Sequence, residues 1–266
     1  MKKNKLKFIL SYLVVSVFFF TSPATWAEDA PTKEKAPAVA AKKIDPEASR
    51  ILKLAGDYLK SADKFSVHAD IDFDEVLPSG RKIEYSRGGD VIVDRPGRFY
   101  ANVYDQDEHR RVFNNGKKLV IYDTNNHTYA SMDVPAKIDD AIDHAREHFG
   151  VSAPLADILV ADPYKNIIER VDSGVYVGLN YSDDELMHHL LFSNDAVDVQ
   201  FWIEDGMFPL IRKMVITYKS LFAAPQYRAY LSEWDFNPAT PDILFTFQPP
   251  EGATELEFLP VKESPP

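Results

Sequence analysis

The 266-residue chain contains no cysteine, which excludes disulfides, thiolate metal sites and a cysteine nucleophile together. Stability has to come from packing. Positive charge is also short, with 30 Lys and Arg against 41 Asp and Glu and a formal charge of −11. Nucleic acid and anionic membrane surfaces are held by clustered Lys and Arg, so this balance argues against both and is what solubility alone would require. No apolar run reaches the roughly 20 residues needed to span a bilayer. There is no G-x-S-x-G elbow for serine catalysis and no Gly-rich loop ahead of a helix for phosphate.

What is present starts at the N-terminus. Lys2, Lys3, Lys5 and Lys7 precede an apolar run from Phe8 to Phe20 and then a short stretch ending in small residues, the three-part form of a secretory signal, with cleavage expected after Ala27. Removing those four lysines and no acid takes the formal charge from −11 to −15. The mature chain is therefore expected to be exported to the periplasm. Residues 28–43 are rich in Ala, Pro and Lys with almost nothing to pack, and predict a disordered tether. Residues 44–260 have the length of one large domain, and 261–266 read as a flexible tail.

Asp45-Pro46 opens a helix, with Asp as N-cap and Pro where its missing N–H costs nothing. Its apolar face repeats through Ala48, Ile51, Leu52, Ala55, Tyr58, Leu59 and Ala62. A strand follows with Phe65, Val67, Ala69, Ile71 and Phe73 on one side and Ser66, His68, Asp70, Asp72 and Asp74 on a wet side. From Gly80 to Pro135, turn chemistry at Ser79-Gly80, Gly88-Gly89, Pro96-Gly97, Asn115-Gly116 and Asn125-Asn126 divides the chain into short antiparallel strands.

Ile138, Ala141, Ile142, Ala145 and Phe149 predict a second helix stopped by Gly150. Leu155, Ile158 and Leu159 predict a third, ending at Asp162-Pro163 because the residue before proline disfavours helix. Strands resume at Tyr176–Tyr181 and Met187–Phe192. The alternation from Val197 to Glu204, the Asp205-Gly206 reversal, and the segments to Lys219 and Phe236 predict a three-stranded meander. Phe245-Thr246-Phe247 is expected to add a last strand. The expected class is α+β, with roughly eleven strands. So many antiparallel strands accumulate twist and curl, leaving the helices on the concave face over enclosed apolar space.

His144-Ala145-Arg146-Glu147-His148 matches the H-x-x-E-H of a zinc peptidase class. On a helix, however, Glu147 falls nearly opposite the apolar stripe, so the three side chains do not address one site beneath it. His188 and His189 are adjacent in a strand and point to opposite faces. His68 with Asp70 and Asp72 reads as a solvated face. No catalytic residue, metal ligand or cofactor site is expected.

Asp162-Pro163-Tyr164, the run from Trp202 through Gly206 and Pro209 to Tyr218, Pro225-Gln226-Tyr227, Trp234 and the closing Phe245 to Ala253 with Phe258-Leu259-Pro260 resemble the predicted periplasmic proteins of domain-of-unknown-function family 2092. That family is similar to the LolA/LolB lipoprotein-carrier superfamily. The resemblance implies an open half-barrel of antiparallel strands with helices plugging its concave side, and a cavity able to take acyl chains. The cavity candidates are Phe65, Ile71, Phe73, Ile138, Ile142, Phe149, Leu155 and Leu159. Three functions stay open: a non-enzymatic carrier of lipid, lipoprotein acyl chains or another long apolar ligand; a sensory or interaction module with a filled core and another envelope protein as partner; and a hydrolase built on the His144–His148 helix.

Overall fold

The structure, a computed structural model, describes residues 42–150, 154–182 and 185–258. The expected signal segment with its cleavage site, tether residues 28–41 and the tail lie outside the described residues. In chain order the elements are β1 (Lys43–Ile44), α1 (Pro46–Ser61), β2 (Lys64–Val76), β3 (Lys82–Asp94), β4 (Arg98–Tyr104), β5 (His109–Asn115), β6 (Lys118–Asp123) and β7 (Thr128–Asp133). Then come α2 (Ile138–Phe149), α3 (Ala156–Leu159), α4 (Pro163–Arg170), β8 (Ser173–Ser182), β9 (Glu185–Ser193) and β10 (Val197–Glu204). The chain closes with β11 (Ile211–Tyr218), β12 (Gln226–Asp235), α5 (Asp242–Phe245) and β13 (Thr254–Leu256).

All thirteen strands form one unclosed sheet, ordered β1-β8-β9-β10-β11-β12-β2-β3-β4-β5-β6-β7-β13. The eleven neighbours from β8 round to β7 pair antiparallel, and the short β1 and β13 add parallel pairs at the two edges. The count is thus thirteen rather than roughly eleven, because edge strands of two and three residues carry no readable alternation. No described helix is long and apolar enough to cross a membrane.

α1 forms as its caps dictate: the Asp45 side chain accepts from the Glu47 N–H at 2.7 Å, and Pro46 occupies the first turn. Its buried face lies against α4, β8, β9 and β10. There Phe192, Phe201, Leu190 and Ile203 are fully buried and fill the space beneath the helix. α2 runs as expected to Gly150, whose φ of 65° supplies the left-handed cap.

Four expectations are corrected. Lys43, assigned to the tether, pairs in β1 with Ser173, and Lys42 Nζ donates to the Ile168 and Glu169 carbonyls at 2.8 and 2.9 Å, acceptors left open at the end of α4. Asp162-Pro163 does not merely end a helix. It starts α4, with Asp162 accepting from the Lys165 N–H at 3.0 Å, the same Asp-Pro device that opens α1. Gly88-Gly89 is not a break but the middle of β3, where a Gly88 Cβ would lie 2.7 Å from the Tyr104 ring. Phe245-Thr246-Phe247 is no strand. Pro238, Pro241, Pro249 and Pro250 strip the segment of ladder donors, and it folds as α5 and an extended tail over the outer face. There Phe247 packs with Phe113, Tyr122 and Tyr129 at ring separations of 4.9–5.3 Å.

Candidate functional site

In an antiparallel sheet, directly opposed residues share a face, so the pairings set out the concave floor in rows. One row is Val91–Ala101–Val112–Ile121. The row deeper in contains Val93, Phe99, Asn114 and Leu119. The row toward the open end contains Gly89, Val103, Arg110 and Asp123, and beyond it stands Arg87, paired with Ile71. The floor therefore runs from aliphatic and aromatic to cationic along its length.

Over this floor lies a cavity of about 560 Å³, within the range of roughly 300–1,000 Å³ usual for ligand pockets. Its roof is Ile142 and Ala145 of α2 with Leu155, Ala156 and Leu159 around α3, and its rim includes Phe73, Asp74, Phe222, Gln226, Tyr218 and Tyr227. Small residues line it on both sides: Ala101 below, Ala145 and Ala156 above. Burial raises the Tyr218 phenol to about 12 and the Tyr227 phenol further still, so both remain neutral hydroxyls. A second, open depression lies between Asp70, Asp72, Ser86 and Gly88 and shares Ile71, Arg87, Tyr104 and Asp105 with the lining of the cavity.

Polar ties hold the roof in addition to the buried side chains of Ile138, Ala145, Ile158 and Leu159. Arg95, immediately after β3, donates through Nη1 to the Leu59 and Ala62 carbonyls at 2.9 and 2.8 Å and through Nη2 to those of Leu159 and Val160 at 3.3 and 2.8 Å. One guanidinium thus joins the ends of α1 and α3. The start of α2 is pinned to the β3–β4 turn, where the Ile138 N–H donates to the Pro96 carbonyl at 3.0 Å. A Cβ on Gly97 would stand 1.9 Å from the Ala136 carbonyl oxygen, so only glycine admits this approach. Asp139 accepts from the Ala161 N–H at 2.9 Å and links α2 to the segment after α3.

Of the sequence-derived candidates, Ile71, Phe73, Ile142, Leu155 and Leu159 line the cavity. Three do not. Phe65 is fully buried between Trp234, Phe236 and the Arg95 guanidinium. Ile138 is buried in the first turn of α2, and Phe149 packs on Phe258 at 5.4 Å and on His144. Sequence reading missed Val91, Phe99, Val112, Leu119 and Ile121, and it missed Arg87 and Arg110. The available signal was phase: Arg87 shares the inward parity of Val91 and Val93, and Arg110 that of Val112.

The histidine motif gathers no common site. The His144 and His148 rings stack at 4.3 Å, His148 Nδ1 lies 3.1 Å from the His144 carbonyl oxygen, and Glu147 is exposed. Among the described residues no group of three His, Cys, Asp or Glu is placed to hold a metal. His188 contacts the Tyr176 hydroxyl and Asp205, while His189 stacks on Trp202 at 4.1 Å, on the opposite face. His68 is joined to Asp90 across β2–β3 at 2.7 Å, which raises its pKa chiefly through that hydrogen bond.

A family model described as "Predicted periplasmic protein (DUF2092)" matches residues 48–259. Among solved structures, LprF from Mycobacterium bovis is similar at 17% identity over 74% of this chain and 96% of that one, with a TM-score of 0.46. The Mycobacterium tuberculosis lipoprotein LppX is similar at 14% identity over 74% and 98%, with a TM-score of 0.43. A LolA superfamily protein from Nitrosomonas europaea is similar at 13% identity over 75% and 97%, with a TM-score of 0.39. No curated protein matches the chain.

Proposed function

The chain belongs to the DUF2092 family of predicted periplasmic proteins, and on that premise we propose that it is a non-enzymatic periplasmic binding protein holding a lipid, a lipoprotein acyl chain or another long apolar ligand beneath α2. The observation that carries this reading is the cavity itself, which is floored by the Val91–Ala101–Val112–Ile121 row and roofed by Ile142, Ala145 and Leu159. Burial is worth about 0.8 kcal/mol per methylene, so a dozen methylenes contribute about 10 kcal/mol, against an association cost of roughly 4–15 kcal/mol. Affinity is therefore expected to rise steeply with chain length. Native mass spectrometry of protein purified from periplasm tests this. A mass excess that disappears on lipid extraction is expected, and a protein that carries none and binds none of a series of long-chain lipids would contradict it.

A second reading has its own observation. Val175, Val177, Leu179 and Tyr181 of β8 lie around a bulge between Tyr176 and Gly178, are each 45–71% exposed, and stand where β8 runs past the two-residue β1 as a sheet edge. Such an edge suits strand addition by another envelope protein. Crosslinking from Tyr181 in the periplasm would reveal that partner, and its absence would leave the stripe without this role.

A further inference from the structure

Arg87 and Arg110 are buried cations with donors to spare. The Arg87 side chain is only 10% exposed, donates no hydrogen bond to any described residue, and has its Nε buried without a partner. Its nearest carboxylate oxygen, Asp105 Oδ2, is 3.9 Å away, beyond hydrogen-bond reach. Stacking on Phe73 at 4.1 Å fixes the guanidinium plane at the cavity wall. Arg110, 13% exposed, gives one Nη to Glu108 at 3.0 Å and likewise leaves a buried Nε unpartnered.

Of the surrounding acids, Asp123, Asp74 and Asp105 are held by other donors, Glu108 pairs with Arg110, and Glu75, which also lines the cavity, forms no ion pair with either arginine. Asp123, opposite Arg110, accepts from the N–H groups of Asn125 and Asn126 and from the Asn126 side chain. Asp74 accepts from the Gln226 N–H at 2.9 Å and faces Lys82 and Arg228. Asp105 Oδ1 accepts from the N–H groups of Asp107 and Glu108. Unpaired charged donors inside a wall call for an acceptor, and a carboxylate or phosphate oxygen is the acceptor that guanidinium geometry fits best.

We propose that the cavity's ligand is a single-chain amphiphile with a carboxylate or phosphate head group, seated between Arg87 and Arg110, its chain lying along the Val91–Ala101–Val112–Ile121 row. This rests on the lipid-binding reading and narrows it. The volume agrees with one chain: at roughly 30 Å³ for each water-sized unit, 560 Å³ takes on the order of fifteen to twenty chain carbons.

The test titrates delipidated protein, followed by native mass spectrometry, with four probes sharing one chain: hexadecanoate, hexadecyl phosphate, hexadecanol and hexadecyltrimethylammonium. Acetate and inorganic phosphate serve as heads without a chain. The two anionic amphiphiles should bind about tenfold or more tighter than the alcohol and the cation, and the chainless anions should not bind. Arg87→Gln and Arg110→Gln should each narrow the ratio between hexadecanoate and hexadecanol affinity, weakening hexadecanoate by far the more. Equal binding of all four chains, or anion binding indifferent to both substitutions, overturns the head-group assignment and leaves the lipid-binding reading standing. Inorganic phosphate binding as tightly as hexadecyl phosphate overturns the chain's part in it. Binding of none of the probes overturns both readings. Where a variant fails to fold, the wild-type ranking of the four chains still decides.

Discussion

α1 and α2 lie against the same curled sheet and differ in what they leave beneath them. Ala48, Ile51, Leu52, Ala55 and Leu59 of α1 are at most 1% exposed and meet large, fully buried residues of β9 and β10. Ile142 of α2 is only half-buried, and Ala145 beside it lines the cavity together with the small Ala101. An apolar helical stripe is present in both. The difference comes from size: large against large closes one arm of the sheet, small against small leaves volume in the other, and the polar ties of Arg95, Asp139 and Pro96 hold the second helix together with its buried Ile138, Ala141 and Ala145.

Two of the buried arginines, Arg95 and Arg87, give the largest expected contrast. Arg95→Met removes a donor from four carbonyls, of which Leu59 keeps the Ala62 N–H at 3.3 Å, and at about 1–3 kcal/mol for each group left unsatisfied the loss should be several kcal/mol in urea unfolding. Arg87→Met removes a buried charge that no described residue hydrogen-bonds, so stability should hold or rise by about 1 kcal/mol or more. Equal losses in the two variants would mean that Arg87 has a partner within the fold.

The next contrast adds the same atoms to each arm. Ala55→Leu overpacks the closed side and should cost about 1–3 kcal/mol. Ala145→Leu fills cavity volume, should cost nothing or stabilise by up to about 1 kcal/mol, and should lower the capacity for a long chain. Matching penalties would show the α2 arm to be as full as the α1 arm.

The smallest effect belongs to the outer face, which neither helix covers. The His68–Asp90 bond raises the histidine pKa above its ordinary value of about 6.5. The stability it supplies is fully present below that value and is lost as pH rises through the higher folded pKa. Asp90→Asn should therefore cost up to about 1 kcal/mol at pH 5 and progressively less toward pH 8. A penalty that grows with pH would contradict the assignment.

Much of the fold was legible because its signals are local. The Asp45-Pro46 cap, the alternation of β2, the Asn115-Gly116 turn and the Gly150 stop each act over a few residues. The same locality explains the errors. Asp-Pro reads equally as a stop or a start, and only the burial of Ile167 against its neighbours made α4 a helix. Gly88-Gly89 looks like a turn until Tyr104 is seen covering it. The alternation of Phe245 and Phe247 suits a strand edge or rings inserted into an outer face, and the flanking prolines decided for the second. At the site, the apolar lining on α2 and α3 could be found from helical stripes. Arg87 and Arg110 could not, since a basic residue on a strand's inward phase acquires meaning only when the facing strands and helix are known.

The central claim is that α2 roofs space rather than core, and a native mass spectrum of Ile142→Glu tests it most directly, since charge-state distribution reports folding and mass excess reports ligand in one experiment. With open volume beneath it the new carboxylate reaches water, so the variant should appear in the narrow charge envelope of a folded protein while its lipid mass is gone. An unfolded envelope would place a filled core under α2, where a buried unpaired carboxylate costs several kcal/mol, a large share of a domain's stability of about 5–15 kcal/mol. A folded variant that keeps its lipid would place the ligand elsewhere.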